Sequence, residues 1–279
     1  MEKNKKILRI GMLLICITFA FNVVIYKCLE LKEPLFLKHY YESEFHDGMA
    51  FTISYICNKD CTYRASYINF GEELEEYIYG SPDDVNSTVI GNYRLNEIVI
   101  TLRNYNVEGV EKFLENNLIL EEAEIEFSNG KIMNVDFGKI ILKPQISTSD
   151  AIDMYMSSSS NNNTSRCEYR VNETVKIQSI ESSIDDSDIL EIAFNGENIR
   201  DIAYPIVLKK GNSIDISSKS KLPSNDIRKY DYYDINKTIK FINENGQVQT
   251  QRVLNLRYTP HFDYWDIVKV IKNRKCMNV

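Results

Sequence analysis

The sequence predicts an N-terminal transmembrane helix followed by a β-rich exterior of two domains, the first α+β and the second an all-β sandwich. Three observations lead to this prediction. Residues 10–26 form a run of seventeen residues without a charge, Asn129-Gly130 separates two apolar segments, and the C-terminal part contains about seven short β-rich segments without helical patterns between them. Because Asn-Gly favours hairpin turns and repeated short strands are typical of sandwiches, most of the exterior is predicted to be sheet.

The apolar run is interpreted as a membrane anchor at residues 10–26, in contact with the lipid bilayer. Seventeen residues at about 1.5 Å each cover roughly 26 Å, and Ile7 and Leu8 extend them toward the ~30 Å of a hydrocarbon core. Four basic residues and one acid precede the run. The positive-inside rule therefore predicts a cytoplasmic tail at residues 1–9 and an extracellular C-terminal region, in a single-pass protein of the cell membrane.

A cleaved signal peptide is the alternative interpretation of this segment. Thr18-Phe19-Ala20 loosely matches a small-x-small site, with cleavage before Phe21. The apolar run continues beyond that point without a preceding polar region, which favours an uncleaved anchor.

Composition limits the class of protein and of partner. The chain has 279 residues, is 43% hydrophobic and carries a net charge of −7. It is long enough to bury a core in each of two modest domains. An acidic exterior argues against nucleic acid as a partner. The abundance of Ile, Asn, Lys and Tyr is typical of A+T-rich genomes, which associates the chain with a low-G+C bacterium.

The first half is predicted to contain a stalk at residues 27–47 and an α+β domain with antiparallel hairpins at residues 48–146. Its predicted strands are residues 50–57, 62–70, 97–103, 123–127, 132–137 and 139–143, its predicted helices are residues 71–78 and 107–116, and residues 81–84 are a predicted turn. The Asn129-Gly130 turn is assigned to type I′, which places two residues at positive φ.

The second half is predicted to begin with a linker or long loop at residues 147–166, where a Ser/Asn-rich stretch lacks any apolar pattern. A β-sandwich domain at residues 167–279 follows, with an immunoglobulin-like architecture as one arrangement. The cysteines and the tryptophan of true immunoglobulin domains lack the expected spacing. The predicted strands are residues 168–180, 189–194, 204–209, 213–217, 238–243, 248–258 and 267–271, with a hairpin turn at Asn245-Gly246.

Four cysteines of the exterior allow two disulfide hypotheses. Cys57 and Cys61 could close a small loop, and Cys167 and Cys276 could tie down the C-terminus. Free buried thiols are the alternative, because spacing alone does not determine pairing.

Two segments contain candidate binding residues. His261-Phe262-Asp263-Tyr264-Trp265-Asp266 joins the only tryptophan to a histidine and two acids, and His261 and Trp265 are its candidate binding residues. The alternative is that Trp265 and Phe262 cap the core while the acids face water.

The second segment is a predicted binding loop at residues 229–235, with Tyr230, Tyr232 and Tyr233. Consecutive tyrosines in an extended chain point to opposite sides, so one of Tyr232 and Tyr233 is expected to be exposed. Exposed tyrosines are typical of protein-binding surfaces, and a strand rim is the alternative.

These observations predict a non-enzymatic, membrane-anchored extracytoplasmic protein that binds or assembles with an envelope protein partner. The sequence contains no recognised catalytic, cofactor or metal-binding motif. The alternative is an envelope enzyme of the wall-remodelling type that uses the acids near His261. Convergence of these side chains in a pocket would favour the enzyme, and their separation would count against it.

Overall fold

The computed structural model describes residues 2–46, 48–75, 78–104, 117–144, 149–160, 164–185, 188–223 and 225–277. An N-terminal apolar helix, α1 (Glu2–Leu29), precedes a sheet-rich body. Its segment Ile10–Leu29 has a mean hydropathy of 2.1 and is long and apolar enough to cross a membrane. By length and composition, this segment could be an anchor or a signal sequence.

Strands dominate the described part of the body. They are β1 (Leu35–Phe36), β2 (His39–Glu44), β3 (Ala50–Asn58), β4 (Ala65–Asn69), β5 (Ile78–Ile90), β6 (Tyr93–Asn104), β7 (Leu118–Phe127), β8 (Ile132–Lys143), β9 (Ile152–Ser160), β10 (Thr164–Val171), β11 (Val175–Glu181), β12 (Leu190–Phe194), β13 (Glu197–Asn198), β14 (Ile206–Leu208), β15 (Ser213–Ser220), β16 (Tyr232–Ile242) and β17 (Val248–Tyr258). The helical elements are α2 (Glu72–Glu75), a 3₁₀ turn (Ile227–Tyr230) and α3 (Tyr264–Met277).

These strands form two sheets. The larger has the order β1-β3-β6-β5-β4-β7-β8-β2-β16-β11-β14, with β17 paired to β16, and the smaller has the order β13-β12-β15-β10-β9. Side chains of both sheets, including Ile192 and Ile216 of the smaller and Ile239 and Phe241 of the larger, share one hydrophobic core. The two sheets therefore contact each other through this core.

The predicted stalk is wrong, because it contains a strand in the interior of the larger sheet. Strand β2 pairs in parallel with β8 on one side and with β16 on the other. His39 lies opposite both Gly138 and Tyr232 in this register. Gly138 has a φ of 105°, and a Cβ atom there would lie 2.4 Å from the His39 carbonyl oxygen. Only a residue without a side chain allows the two backbones to approach this closely.

Both predicted Asn-Gly hairpins are confirmed, but the turn type assigned to the first is wrong. Strand β7 pairs with β8, and β16 pairs with β17. Within residues 128–131, all described, only Gly130 has a positive φ (78°). Because a type I′ turn requires two such residues, this hairpin instead combines a type I turn with a left-handed glycine.

The predicted linker is corrected by the pairing of β9 with β10. Ser157 lies opposite Cys167, and Ser160 lies opposite Thr164. The smaller sheet ends at β9, and the β9 side chains beyond Ile152 are exposed. A strand at such an edge needs no alternating apolar pattern, because its ladder hydrogen bonds hold it in place.

The predicted strand at residues 267–271 is wrong, because these residues lie in helix α3. Ile267, Val268, Val270 and Ile271 are all buried against the sheet. Their spacing also fits one helix face, and the β-branched side chains favoured the incorrect assignment. The predicted turn at residues 81–84 lies within β5, and the predicted helix at residues 107–116 lies outside the described residues.

Candidate functional site

Tyr232 and Tyr233 are both buried, so the hypothesis of an exposed binding loop is wrong. Their exposed fractions are 6% and 1%. The Tyr232 ring stacks on His39 with centroids 4.7 Å apart, and the Tyr233 ring stacks on Tyr40 at 5.2 Å. The two side chains point to opposite faces of β16, as expected, but each face carries a hydrophobic core.

Tyr230 is also buried, beneath helix α3. Its hydroxyl donates a hydrogen bond to Oδ1 of Asp266 at 2.5 Å, and its ring stacks on Phe262 at 5.6 Å. Burial and the adjacent Asp266 carboxylate raise the pKa of Tyr230. Tyr230 therefore holds the start of α3 on the body and is not available to a partner.

The two acids near His261 cap helix α3. Asp266 N donates to Oδ1 of Asp263 at 2.8 Å, and Asp263 N donates to Oδ2 of Asp266 at 3.3 Å. This reciprocal pair satisfies two backbone donors that a helix start leaves free. Partial burial pushes the pKa of Asp266 upward, but hydrogen bonds with Tyr230 and Asp263 and nearby lysines outweigh it and hold that pKa below its usual value. His261 is exposed, and the capping role of the acids counts against the enzyme alternative.

Phe262 and Trp265 separate in the structure. Phe262 is buried in the core under α3, as predicted, whereas the Trp265 side chain is 67% exposed. Its ring contacts Tyr264 at an angle of 73° with centroids 5.3 Å apart. Trp265 therefore does not cap the core, and its apolar surface faces outward.

The structure describes the thiols of three of the four cysteines in the two disulfide hypotheses. Cys57, Cys61 and Cys167 carry free thiols, and the Cys276 side chain lies outside the described residues. Burial and the neighbouring Cys61 raise the pKa of the Cys57 thiol to about 12. The Asn96 side chain also donates to Cys57 Sγ at 3.2 Å. The two pairings stay hypotheses.

The end of α1 is fixed to the body, and this anchor–body junction is defined by Leu29, Leu31, Asn58, Tyr93 and Tyr264. Asn58 bonds to both backbone groups of Leu31, accepting from N at 3.0 Å and donating to O at 2.7 Å. The Tyr93 hydroxyl donates to the Leu29 carbonyl at 3.0 Å, and its ring stacks on Tyr264. No free stalk separates the described helix from the described body.

The body also lies beside the last turns of α1. A groove of about 390 Å³ is lined by Val23, Ile25 and Tyr26 from the helix and by Asn92, Tyr93 and Tyr264 from the body. Val23 precedes Leu29 by roughly 9 Å along the helix axis, at about 1.5 Å per residue. These body residues therefore overlap the C-terminal end of the Ile10–Leu29 segment.

The C-terminal half of α3 is held by a buried ion pair. Arg274 donates to Oδ1 of Asp231 at 2.9 Å and to the Phe36 carbonyl. Burial raises the pKa of Asp231 to about 7, although Arg274 and Lys38 oppose the shift. Burial also lowers the pKa of Arg274. Because removal of either partner would leave a buried charge, the pair restrains the position of α3.

A polar cleft of about 340 Å³ lies between the two halves of the larger sheet. Its lining includes Tyr41, Asn236, Arg252, Arg257, Tyr258 and Thr259. Asn236 is 4% exposed and donates to the Glu42 carbonyl, while its Oδ1 has no protein partner. Arg252 and Arg257 are exposed. The sequence showed no sign of this cleft, because its residues come from six separate segments, at or next to β2, β3, β6, β8, β16 and β17.

No protein-family model matches the chain, and no curated protein matches it. Solved structures with detectable similarity include one described as "Crystal structure of Dpr11 IG1 bound to DIP-gamma IG+IG2". The alignment covers 82% of this chain and 100% of that chain, at 8% sequence identity and a TM-score of 0.19. A TM-score of this size does not establish a shared fold, and neither architecture nor function is inferred from it.

Proposed function

We propose that this chain is a membrane-anchored extracytoplasmic binding or assembly protein of a bacterial cell envelope, without enzymatic activity. The observation that carries the proposal is the apolar segment Ile10–Leu29, of which only 6% is buried in the protein. A lipid bilayer is the environment that removes so much apolar surface from water.

The apolar side chains of α1 support insertion. Ile15 and Phe19 are each 70% exposed, and Leu14 is 59% exposed. At the centre of a membrane helix, each Leu, Ile, Phe or Val favours insertion by about 0.3–0.6 kcal/mol. No counterbalancing charge lies between residues 10 and 26. We infer an uncleaved anchor, because the apolar run continues past the loose cleavage match before Phe21. We infer a cytoplasmic N-terminus, because the basic residues precede the run.

The polar cleft supports a binding role. Tyrosine and arginine are enriched in protein-binding surfaces, where they combine apolar contact with hydrogen bonding. Tyr258, Arg252 and Arg257 bring both residue types to the cleft rim. We therefore propose that an envelope protein partner occupies this cleft.

Topology is tested by proteolysis of intact cells that express the full chain. We expect removal of the chain beyond Lys27 and no change in the N-terminus. Protection of the body, or a mature N-terminus at Phe21, would contradict the proposed anchor and topology.

Binding is tested by photo-crosslinking in the same cells. A crosslinker at Thr259 lies on the cleft, and one at the exposed Lys210 is the control. We expect an envelope-protein adduct from position 259 that disappears with Arg257→Ala. Equal adducts from both positions, or none from position 259, would count against the cleft as the binding site.

A further inference from the structure

We infer that Trp265 is a second membrane contact of this protein, seated at the headgroup–acyl boundary of the bilayer that α1 crosses. The inference rests on the proposed anchor and adds a lipid contact made by the body itself. Two contacts on one bilayer would define the orientation of the body relative to the membrane.

Trp265 is next to a residue that lies beside the end of α1. Its neighbour Tyr264 lines the groove beside Val23, Ile25 and Tyr26. Tyr264 also stacks on Tyr93, whose hydroxyl holds the Leu29 carbonyl. The headgroup region adds roughly 5–7 Å to each side of the hydrocarbon core. A residue next to this groove therefore lies at the depth of the lipid headgroups when Ile10–Leu29 spans the membrane.

The side chain of Trp265 suits a membrane interface. Trp265 is 67% exposed, although it is the only tryptophan in the chain. An indole combines a large apolar ring with one N–H donor, and tryptophan is enriched at membrane interfaces for this reason. The same exposure in water would leave that apolar ring solvated.

Helix α3 is held near both ends, which keeps Trp265 from turning into the protein. Asp263 and Asp266 cap its start, and Arg274 bonds to Asp231 near its end. Ile267 and Ile271 on its opposite face are 0% exposed. The outward direction of Trp265 is thus set by the packing of the whole helix, and lipid is the occupant that fits its surface.

The same face of α3 also carries positive charge. Lys269 and Lys272 follow Trp265 at i+4 and i+7, and both are exposed. Tryptophan and lysine along one face are typical of helices that contact a lipid surface, where the ammonium groups meet lipid phosphates. Within the described part of α3, the outward face therefore matches a lipid headgroup layer.

The test is tryptophan fluorescence of the full chain, because Trp265 is the only source of indole emission. The protein is reconstituted into phosphatidylcholine vesicles with or without bromine on the upper acyl chain. We expect brominated lipid to quench most of the Trp265 emission and acrylamide to quench it less than in detergent. The control is Trp265→Phe combined with Val248→Trp, since Val248 is 58% exposed. Val248 begins β17 and pairs with Ile242 at the end of β16. Tyr232 begins that 11-residue strand, so position 248 is a full strand length away from Tyr232.

Alkaline extraction, combined with quenching, separates this inference from the proposed anchor. If alkaline extraction leaves the chain in the vesicles but brominated lipid does not quench Trp265 more than the Val248→Trp control, the lipid contact is wrong and the anchor stands. If alkaline extraction releases the chain, both the anchor and the lipid contact are wrong. Strong quenching of Trp265 alone, in a chain that resists extraction, supports both.

Discussion

The ring of His39 stacks on the ring of Tyr232, with centroids 4.7 Å apart and planes 14° from parallel. His39 Nε2 also accepts a hydrogen bond from Ser54 N at 3.1 Å. The contact joins β2 to β16 across a parallel pair, at the position where the larger sheet passes from the N-terminal half of the chain to the C-terminal half.

Tyr233→Ala is expected to lower the free energy of unfolding by about 3–5 kcal/mol, because it leaves a cavity where an aromatic side chain was fully buried. Tyr233 is 1% exposed and packs against Tyr40 and Tyr258. Thermal unfolding of the detergent-solubilised chain measures the change. Tyr155→Ala is the control, because Tyr155 is 55% exposed and such surface changes cost about 0.5 kcal/mol or less. Similar melting temperatures for the two variants would contradict the burial of Tyr233.

Gly138→Ala is expected to destabilise the protein more than Gly211→Ala. Both glycines have a positive φ, so both substitutions strain the backbone by about 1–3 kcal/mol. A Cβ atom at position 138 also meets the His39 backbone at 2.4 Å, whereas nothing lies within 4 Å at position 211. The difference between the two melting temperatures therefore isolates the close approach of β8 to β2. Equal losses would contradict this pairing.

His39 is expected to make the protein less stable in acid. Burial lowers its pKa to about 3, against 6.5 for the free side chain. Between these values the unfolded chain binds the proton more readily, so the contribution of neutral His39 is complete above pH 6.5 and is lost as the pH falls toward 3. Asp231 has a raised pKa and changes the stability in the opposite direction, but it is present in both the wild type and His39→Gln.

The measurement is denaturant unfolding of the wild type and His39→Gln at pH 7 and pH 4.5. We expect the wild type to lose more stability than the variant between the two values. Parallel losses would show that His39 titrates normally in the folded state. Asp231→Asn serves as the second variant. Because it removes a carboxyl group whose pKa is raised, it should lose more stability than the wild type between pH 7 and pH 4.5.

Cys57 is expected to react far more slowly with iodoacetamide at pH 7.5 than Cys61. Burial raises the pKa of Cys57 to about 12, so almost none of it is thiolate at this pH. Cys61 is half-buried. Mass spectrometry of peptides after timed labelling gives the rates. A Cys61→Ser variant tests whether Cys61 shields Cys57, and fast labelling of Cys57 in folded wild type would exclude the buried thiol.

Local patterns predicted those elements that depend on near neighbours. The uncharged run of residues 10–26 lies within α1, and Asn129-Gly130 and Asn245-Gly246 join the paired strands on either side of them. A long apolar helix and a hairpin turn are each determined within a few residues of the chain. The apolar spacing of residues 267–271 was compatible with both a strand and a helix, and the capping acids Asp263 and Asp266 were the signal that would have identified α3.

The candidate site could not be predicted from local sequence patterns. The rule that consecutive strand residues face opposite sides was correct for Tyr232 and Tyr233, but exposure also depends on what covers each face. Trp265 was singled out for its rarity and its acidic neighbours, whereas its proximity to the end of α1 arises from contacts between residues 93 and 264.

The sequence by itself determined the apolar N-terminal helix, the abundance of strands and the position of two hairpins. Tertiary structure alone decided that residues 39–44 form an interior strand of the larger sheet, that Tyr232 and Tyr233 lie in separate cores and that Trp265 faces outward beside the anchor. The physical reason is the range of the interactions involved. Helix length and turn geometry arise between neighbouring residues, but burial is set by pairings such as His39 with Gly138, which join residues far apart in the chain and leave no periodic pattern in either segment.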